Sequence, residues 1–180
     1  VSHLRFGKQP IRSAYFVNSA NFVACHNFSF LDKFDMLKNA KENGTFLLLS
    51  PYNKDEVWNH LSAVVQKHII DKKLKFYVID AIRIAEGLGL GGRVNTIMQT
   101  AFFKISNVID ETLAKTDIKE SIKKTYGKKG DKIVKMNVDA VDQADRVVDR
   151  QLAGQGEAVV EVAVDLQQLR PVHQCLRELA

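Results

Sequence analysis

The sequence predicts an α/β fold: a three-layer α/β/α sandwich around a parallel or mixed sheet, followed by a helical C-terminal half. Three observations predict it. "TFLLLS" (45–50) and "KFYVID" (75–80) are short, nearly continuous apolar runs, as expected of strands covered on both faces. Segments of helical periodicity separate the strand candidates, the pattern of βαβ crossovers. After Gly92 the strand signals cease and helical periodicity takes over. At 180 residues the chain is long enough to bury a real core.

Taken in order, "HLRF" (3–6) and "NFVACH" (21–26) read as the first strands. "SFLDKFDMLKNAK" (29–41) sets Phe30, Phe34, Leu37 and Ala40 at helical spacing, with Ser29 as N-cap and Gly44 as the stop beyond it. Strand 45–50 follows. "SPYNKDEVWNHLSAVVQKHIIDKK" (50–73) places Val57, Leu61, Val64, Val65 and Ile69 on one helical face with Trp58 beside them, and Asn53 or Asp55 as cap. Strand 75–80 leads into "AIRIAE", read as a helical turn. "VNTIMQTAFFKISNVI" (94–109) is apolar enough for a buried helix. "TDIKESIKKTYGKKG" (116–130) is amphipathic, with Thr116 as cap and Gly127 as stop. Ile133, Met136, Val141 and Val148 mark the inner side of a further helix. "GQGE" (154–157) is a break. The chain therefore divides into a domain over 1–150 and a tail over 151–180, read either as a strand and short helix or as poorly ordered.

The net charge of +5 suits an anionic partner without identifying it. Much of the basic charge lies in "IKKTYGKKGDKIVK" (122–135), which reads as a solvated helix end. Aromatic residues are not interleaved with it as nucleic-acid binding would require, so no nucleic-acid partner is expected. Cys25 and Cys175 are far apart and lack a Cys-x-x-Cys context, which argues against a disulfide scaffold or a metal cluster in this chain. Cys25 reads as a small core residue rather than a nucleophile paired with His26, because adjacent strand residues face opposite ways. The five histidines show no metal-ligand spacing. No apolar run is long enough to span a membrane, and a reducing, cytoplasmic setting is the expectation. A first residue of Val rather than Met suggests a processed or excised piece.

"AEGLGLGGRVNTIMQT" (85–100) holds the most chemistry. Gly87, Gly89 and Gly92 spell G-x-G-x-x-G, the fingerprint of a dinucleotide turn. That fingerprint needs a strand directly before it and a second strand ending in an acid about twenty residues on. Here "AIRIAE" intervenes, and Asp110 and Glu111 follow a helix, so a dinucleotide site is not expected. Gly91 and Gly92 still permit close backbone approach, Arg93 adds a planar cation, and a helix starting near Val94 offers free amides flanked by Asn95 and Thr96. Two readings remain open: an anion site, or a helix–loop–helix turn that needs glycine. "RFGKQPIRS" (5–13) repeats the theme, with Gly7 beside Lys8 and Arg12. Two basic, glycine-containing loops on one small domain favour a phosphate-rich ligand.

The blocks "HLRFGKQPIRSAYFV", "FVACHNFSFLDKFDML", "GTFLLLSPYNKDEVW", "KLKFYVIDA" and "GGRVNTIMQTAFF", then "IKKTYGKKGDKIVKMN" and "AVDQA", together resemble the gamma-type domain of pyruvate:ferredoxin (flavodoxin) oxidoreductase. The resemblance runs from residue 1 to about 144; the stretch from 145 to 180 departs from the family. It implies a helix/sheet/helix domain within an enzyme that oxidatively decarboxylates pyruvate to acetyl-CoA, passing electrons to ferredoxin or flavodoxin. Thiamine diphosphate and [4Fe–4S] clusters would sit in other domains of the same oxidoreductase, itself a homodimer. This domain would help bind coenzyme A and close the active site. The implied contacts are Phe6, Gly7 and Lys8 from the N-terminal loop, and Gly91, Gly92, Arg93 and Asn95 from the glycine run. No residue here is expected to be catalytic, and the isolated chain is expected not to turn over pyruvate. The alternative is a stand-alone anion-binding or interaction module.

Overall fold

The computed structural model describes residues 2–7, 10–12 and 16–153, with side chains described as far as Val148. It is an α/β fold whose described residues fall into two compact units, one ending at Asp80 and the other starting at Ala81.

The first unit is built on three parallel strands, β1 (Ala20–Cys25), β2 (Ala40–Leu49) and β3 (Lys75–Ile79), in the order β1-β2-β3. The sheet is open and wholly parallel, which resolves the parallel-or-mixed expectation. The apolar runs form the strand centres. Val23, Ala24 and Cys25 of β1, Phe46 to Leu49 of β2, and Tyr77 to Ile79 of β3 are all buried. Continuous burial on the middle strand is what its unbroken hydrophobic run anticipates. Two helices, α1 (Val57–His60) and α2 (Ala63–Asp71), connect β2 to β3.

Four expectations fail in this unit. Residues 3–6 form no strand. His3 Nδ1 instead accepts a hydrogen bond from the Val17 amide at 2.9 Å, and its ring meets Phe16 edge-on. Residues 29–41 do not form a helix. Asn27 caps a single 3-10 turn at Phe28–Phe30, further turns follow, and Ala40 already pairs with Ala20 of β1. The periodic residues do not share one buried face either, because Leu37 is buried while Phe34 is 56% exposed. Lys72 Nζ holds the carbonyls of Leu37 and Lys38 at 2.6 and 2.8 Å, a tertiary use of groups that a helix would have kept for itself. Gly44, expected as a helix stop, lies within β2, next to Asn43 at φ 57°. The register slips there, with Ala20 opposite Ala40 but Phe22 opposite Thr45. Finally, the helix expected over 50–73 is broken at Leu61–Ser62, where the Ser62 hydroxyl accepts from the Val65 amide and starts α2 afresh.

The second unit is helical, as the C-terminal half predicted. It contains α3 (Ala81–Gly87), α4 (Asn95–Ser106), α5 (Glu111–Tyr126), a 3-10 turn at Gly127–Lys129, and α6 (Asp131–Ala153). α4 is the buried helix that its composition foretells: Ile97, Met98, Ala101, Phe102 and Phe103 are all in the core. It packs on α6, where Ala140 and Ala144, one turn apart and fully buried, keep the facing surface small. α5 starts at Asp110 rather than at the expected Thr116, whose hydroxyl bonds back to the Thr112 carbonyl at 2.8 Å. Of the sequence-derived tail, residues 154–180 lie outside the described residues. Among the described residues no helix is long and apolar enough to cross a membrane.

Candidate functional site

The glycine run connects α3 to α4, and its glycines differ in what the fold asks of them. Gly89 has φ 72°, and a Cβ there would stand 3.2 Å from Met136 Cε. Gly91 has φ 60° in open space, so its backbone alone calls for glycine. Gly92 has no such φ, is exposed, and a Cβ on it would meet nothing within 4 Å. Nothing within this unit requires glycine at 92. A surface kept bare where the fold does not ask for it suits close approach by another molecule.

Arg93 follows, exposed, with its Nε donating to the Leu90 carbonyl at 2.9 Å. That bond anchors the guanidinium through its Nε and leaves the two outer nitrogens to serve as a donor fork. Val94 is the N-cap of α4 and provides no side-chain acceptor, and no acid stands in the first turn. The first amide drawn into the helix is that of Met98, bonded to Val94 at 2.9 Å. The amides of Asn95, Thr96 and Ile97 thus belong to the set that an α-helix leaves without an internal acceptor. Asn95 is half-buried at the mouth of this end. Gly91, Gly92, Arg93 and Asn95 are therefore one contiguous loop and helix start with cationic, amide-donor character.

Of the N-terminal candidates, Phe6 is half-buried and Gly7 exposed, and both belong to the first unit. Lys8 lies outside the described residues. The dinucleotide context is absent. β3 ends at Ile79, and α3 occupies Ala81–Gly87, taking in the first glycine of the pattern, so no strand feeds the turn.

Other candidates resolve into structural roles. Cys25 is fully buried, and burial pushes its thiol up to about 11 against the smaller pull of a backbone hydrogen bond at Asn27; the thiol itself donates to the Asn27 carbonyl at 3.0 Å, which also suits the protonated form. Such a thiol is neutral near pH 7 and not a nucleophile, as the sequence suggested. An iron–sulfur cluster takes four thiolates, and the chain contains two cysteines. Among the described residues no cluster of His, Cys, Asp and Glu could hold a metal ion. His60 stacks on Tyr52 at 3.6 Å and His68 faces Asp35 at 3.3 Å.

Sequence reasoning missed the ion-pair ring that ties the helices of this unit together. Lys104 on α4 reaches Glu111 at 3.0 Å and Asp145 of α6 at 2.7 Å, while Lys115 on α5 reaches the same two acids at 2.8 and 2.6 Å. Burial works against the Asp145 carboxylate, but hydrogen bonds from Lys104 and Lys115 outweigh it and hold its pKa below the usual range. The Lys115 bond, followed by the Lys104 bond, depresses Glu111 as well. Burial also works against charged Lys115, yet its bonds to Asp145 and Glu111 leave the pKa raised. Only the Glu111–Lys115 spacing of four was visible in the sequence; Lys104 and Asp145 are 41 residues apart.

Comparison with known proteins places the chain. The family described as pyruvate ferredoxin/flavodoxin oxidoreductase matches residues 1–147, so the chain belongs to that family. It is 56% identical over 142 residues to the pyruvate-flavodoxin oxidoreductase of Trichormus variabilis, covering 79% of this chain and 12% of that protein. It is 55% identical over 144 residues to the pyruvate:ferredoxin oxidoreductase of Moorella thermoacetica, covering 80% and 12%. A protein of Cryptosporidium parvum named pyruvate dehydrogenase (NADP(+)) is 48% identical over 143 residues, which is 79% of this chain and 7% of that protein. The chain thus spans about an eighth of the length of the first two relatives.

Proposed function

We propose that this chain is the coenzyme A-positioning segment of an oxidoreductase that oxidatively decarboxylates pyruvate to acetyl-CoA and passes electrons to ferredoxin or flavodoxin. Thiamine diphosphate and the [4Fe–4S] clusters belong to other domains of that enzyme, and this segment brings no catalytic residue of its own. The observation that carries the reading is the start of α4: an uncapped helix end without a first-turn acid, preceded by an anchored Arg93 and a bare Gly92. Family membership and the names of the relatives supply the enzyme context.

Coenzyme A carries a diphosphate and a 3′-phosphate. The amides of Asn95 and Thr96 would donate to phosphate oxygens, and the outer nitrogens of Arg93 would pair with them as a fork. Gly92 leaves room for the ligand against the backbone. Phe6, Gly7 and Lys8 are proposed as the second contact. Fixing the thiol arm relative to the acetyl donor would convert a bimolecular transfer into an oriented one, and loop closure over the ligand would exclude water.

Titration calorimetry of the chain with coenzyme A, dephospho-coenzyme A and NADH tests the reading. It predicts binding of coenzyme A that weakens about tenfold in Arg93→Ala, equivalent to about 1.4 kcal/mol. Binding of NADH in preference to coenzyme A, or coenzyme A affinity indifferent to Arg93, would remove it.

A further inference from the structure

Residues 122–135 contain six lysines and one aspartate. The lysines divide sharply by environment. Lys115 and Lys119, earlier on α5, pair with Asp145 and Asp142 of α6, and Lys135 pairs with Asp139 one turn on. Lys123, Lys124, Lys128, Lys129 and Lys132, at the tip joining α5 to α6, are all exposed. None of these five has a carboxylate within ion-pair distance among the described residues. Lys129 lies 5.5 Å over the Tyr126 ring, which keeps one aromatic face occupied by a cation.

The local fold does not explain this concentration. Lys123 and Lys124 sit in the last turn of α5, where the helix dipole favours cations. Lys128, Lys129 and Lys132 gather instead at the positive end of α6, where acids are favoured and Asp131 alone is present. Like charges this close repel one another within a Debye length of about 8 Å at physiological salt. A surface of opposite charge brought against the tip would offset that repulsion. A nucleic acid would gain little here beyond charge, because no open aromatic platform accompanies the lysines.

We propose that the lysine tip at 123–132 docks on a carboxylate-rich face contributed by the remainder of the long oxidoreductase chain. This rests on the reading of the present chain as one segment of such an enzyme, and on relatives in which about seven-eighths of the length lies outside the matched segment. The lysines then set the orientation of the helical unit in the assembled enzyme, as charged rims do at protein interfaces.

Zero-length carbodiimide cross-linking of the natural full-length protein, read by mass spectrometry, tests this. The reagent joins a lysine amine to a carboxylate in contact with it and takes up the water released. The Lys104–Asp145 and Lys115–Asp145 pairs act as internal controls. Peptides carrying Lys128, Lys129 or Lys132 should be joined to Asp or Glu outside residues 1–180. Those links should fall about fivefold between low and 0.5 M salt, as screened surface pairs do, and vanish in K128E/K129E/K132E. Control links without tip links would overturn the interface and leave the segment reading intact. Tip links abolished by added coenzyme A, or formed only when flavodoxin is added, would overturn it in favour of the nucleotide or the electron carrier. Immunodetection of only a 20.3 kDa chain in the source cell would end both proposals together. The wild-type cross-links decide the matter even if the variant fails to fold.

Discussion

Helix α5 begins a few residues after α4 ends, in the same unit, and the two helices begin in opposite ways. Asp110 caps α5, its carboxylate accepting from the Leu113 amide at 3.0 Å, and Glu111 adds a second acid that is itself locked to Lys104 and Lys115. α4 opens on Val94, with no side-chain acceptor, no acid, and an arginine just before it. The first arrangement satisfies orphan amides from within the chain and adds stability; the second leaves them available to an anion. One helix start is finished by the fold; the other is left without a side-chain cap, and the proposed coenzyme A would complete it.

That contrast can be broken at several points. The largest effect is expected at the ring behind the α5 start. Asp145→Ala removes the 2.7 Å partner of the buried Lys104 ammonium, and chemical denaturation should show a loss of about 2–4 kcal/mol. Arg93→Ala should instead leave the melting temperature unchanged and weaken coenzyme A about tenfold in calorimetry. Asp110→Ala removes the α5 cap and should cost about 1 kcal/mol without affecting coenzyme A binding. Val94→Asp makes the start of α4 resemble that of α5; it should weaken coenzyme A while altering denaturant stability by less than about 1 kcal/mol. Gly92→Ala is the gentlest change. It should shift stability by no more than about 0.5 kcal/mol, and any fall in coenzyme A affinity would then report ligand contact at that backbone.

The ring also sets a pH dependence. Asp145 and Glu111 have lowered pKa values in the folded state, so the unfolded chain takes up protons first as pH falls. Their contribution is complete above the ordinary carboxylate range and is lost as pH drops through the depressed folded values. Lys115 has a raised value, so its share is present below the ordinary lysine range and lost as pH rises through the folded value. Denaturation followed from neutral pH into acid should show a loss that Asp145→Ala reduces.

Much of this was legible because it depends on residues close in sequence. The β2 and β3 runs, the buried α4 and the loop at Gly91 to Asn95 all follow from short-range patterns of apolarity and breakers. The failures occurred where distant partners decided. Residues 29–41 have helical spacing, yet pairing of Ala40 with Ala20 and the hold of Lys72 on the Leu37 and Lys38 carbonyls draw the backbone away from a helix. His3 serves Val17 rather than a sheet. At Ser62 the signal was present in the sequence, since serine before an apolar turn is an N-cap, but the long apolar periodicity across it masked the break.

The amino-acid sequence by itself determined the α/β class, the helical second half, the inert character of Cys25 and the family to which the chain belongs. The first three rest on composition or on patterns a few residues long, and the family on blocks in order along residues 1–147. Only the tertiary structure decided which glycines the fold requires, which helix start is capped, and how Lys104, Glu111, Lys115 and Asp145 close into a ring. Those depend on contacts between residues as far apart as Gly89 and Met136. Local periodicity carries no record of such pairings, because their energies arise only once the helices are packed and water has been excluded between them.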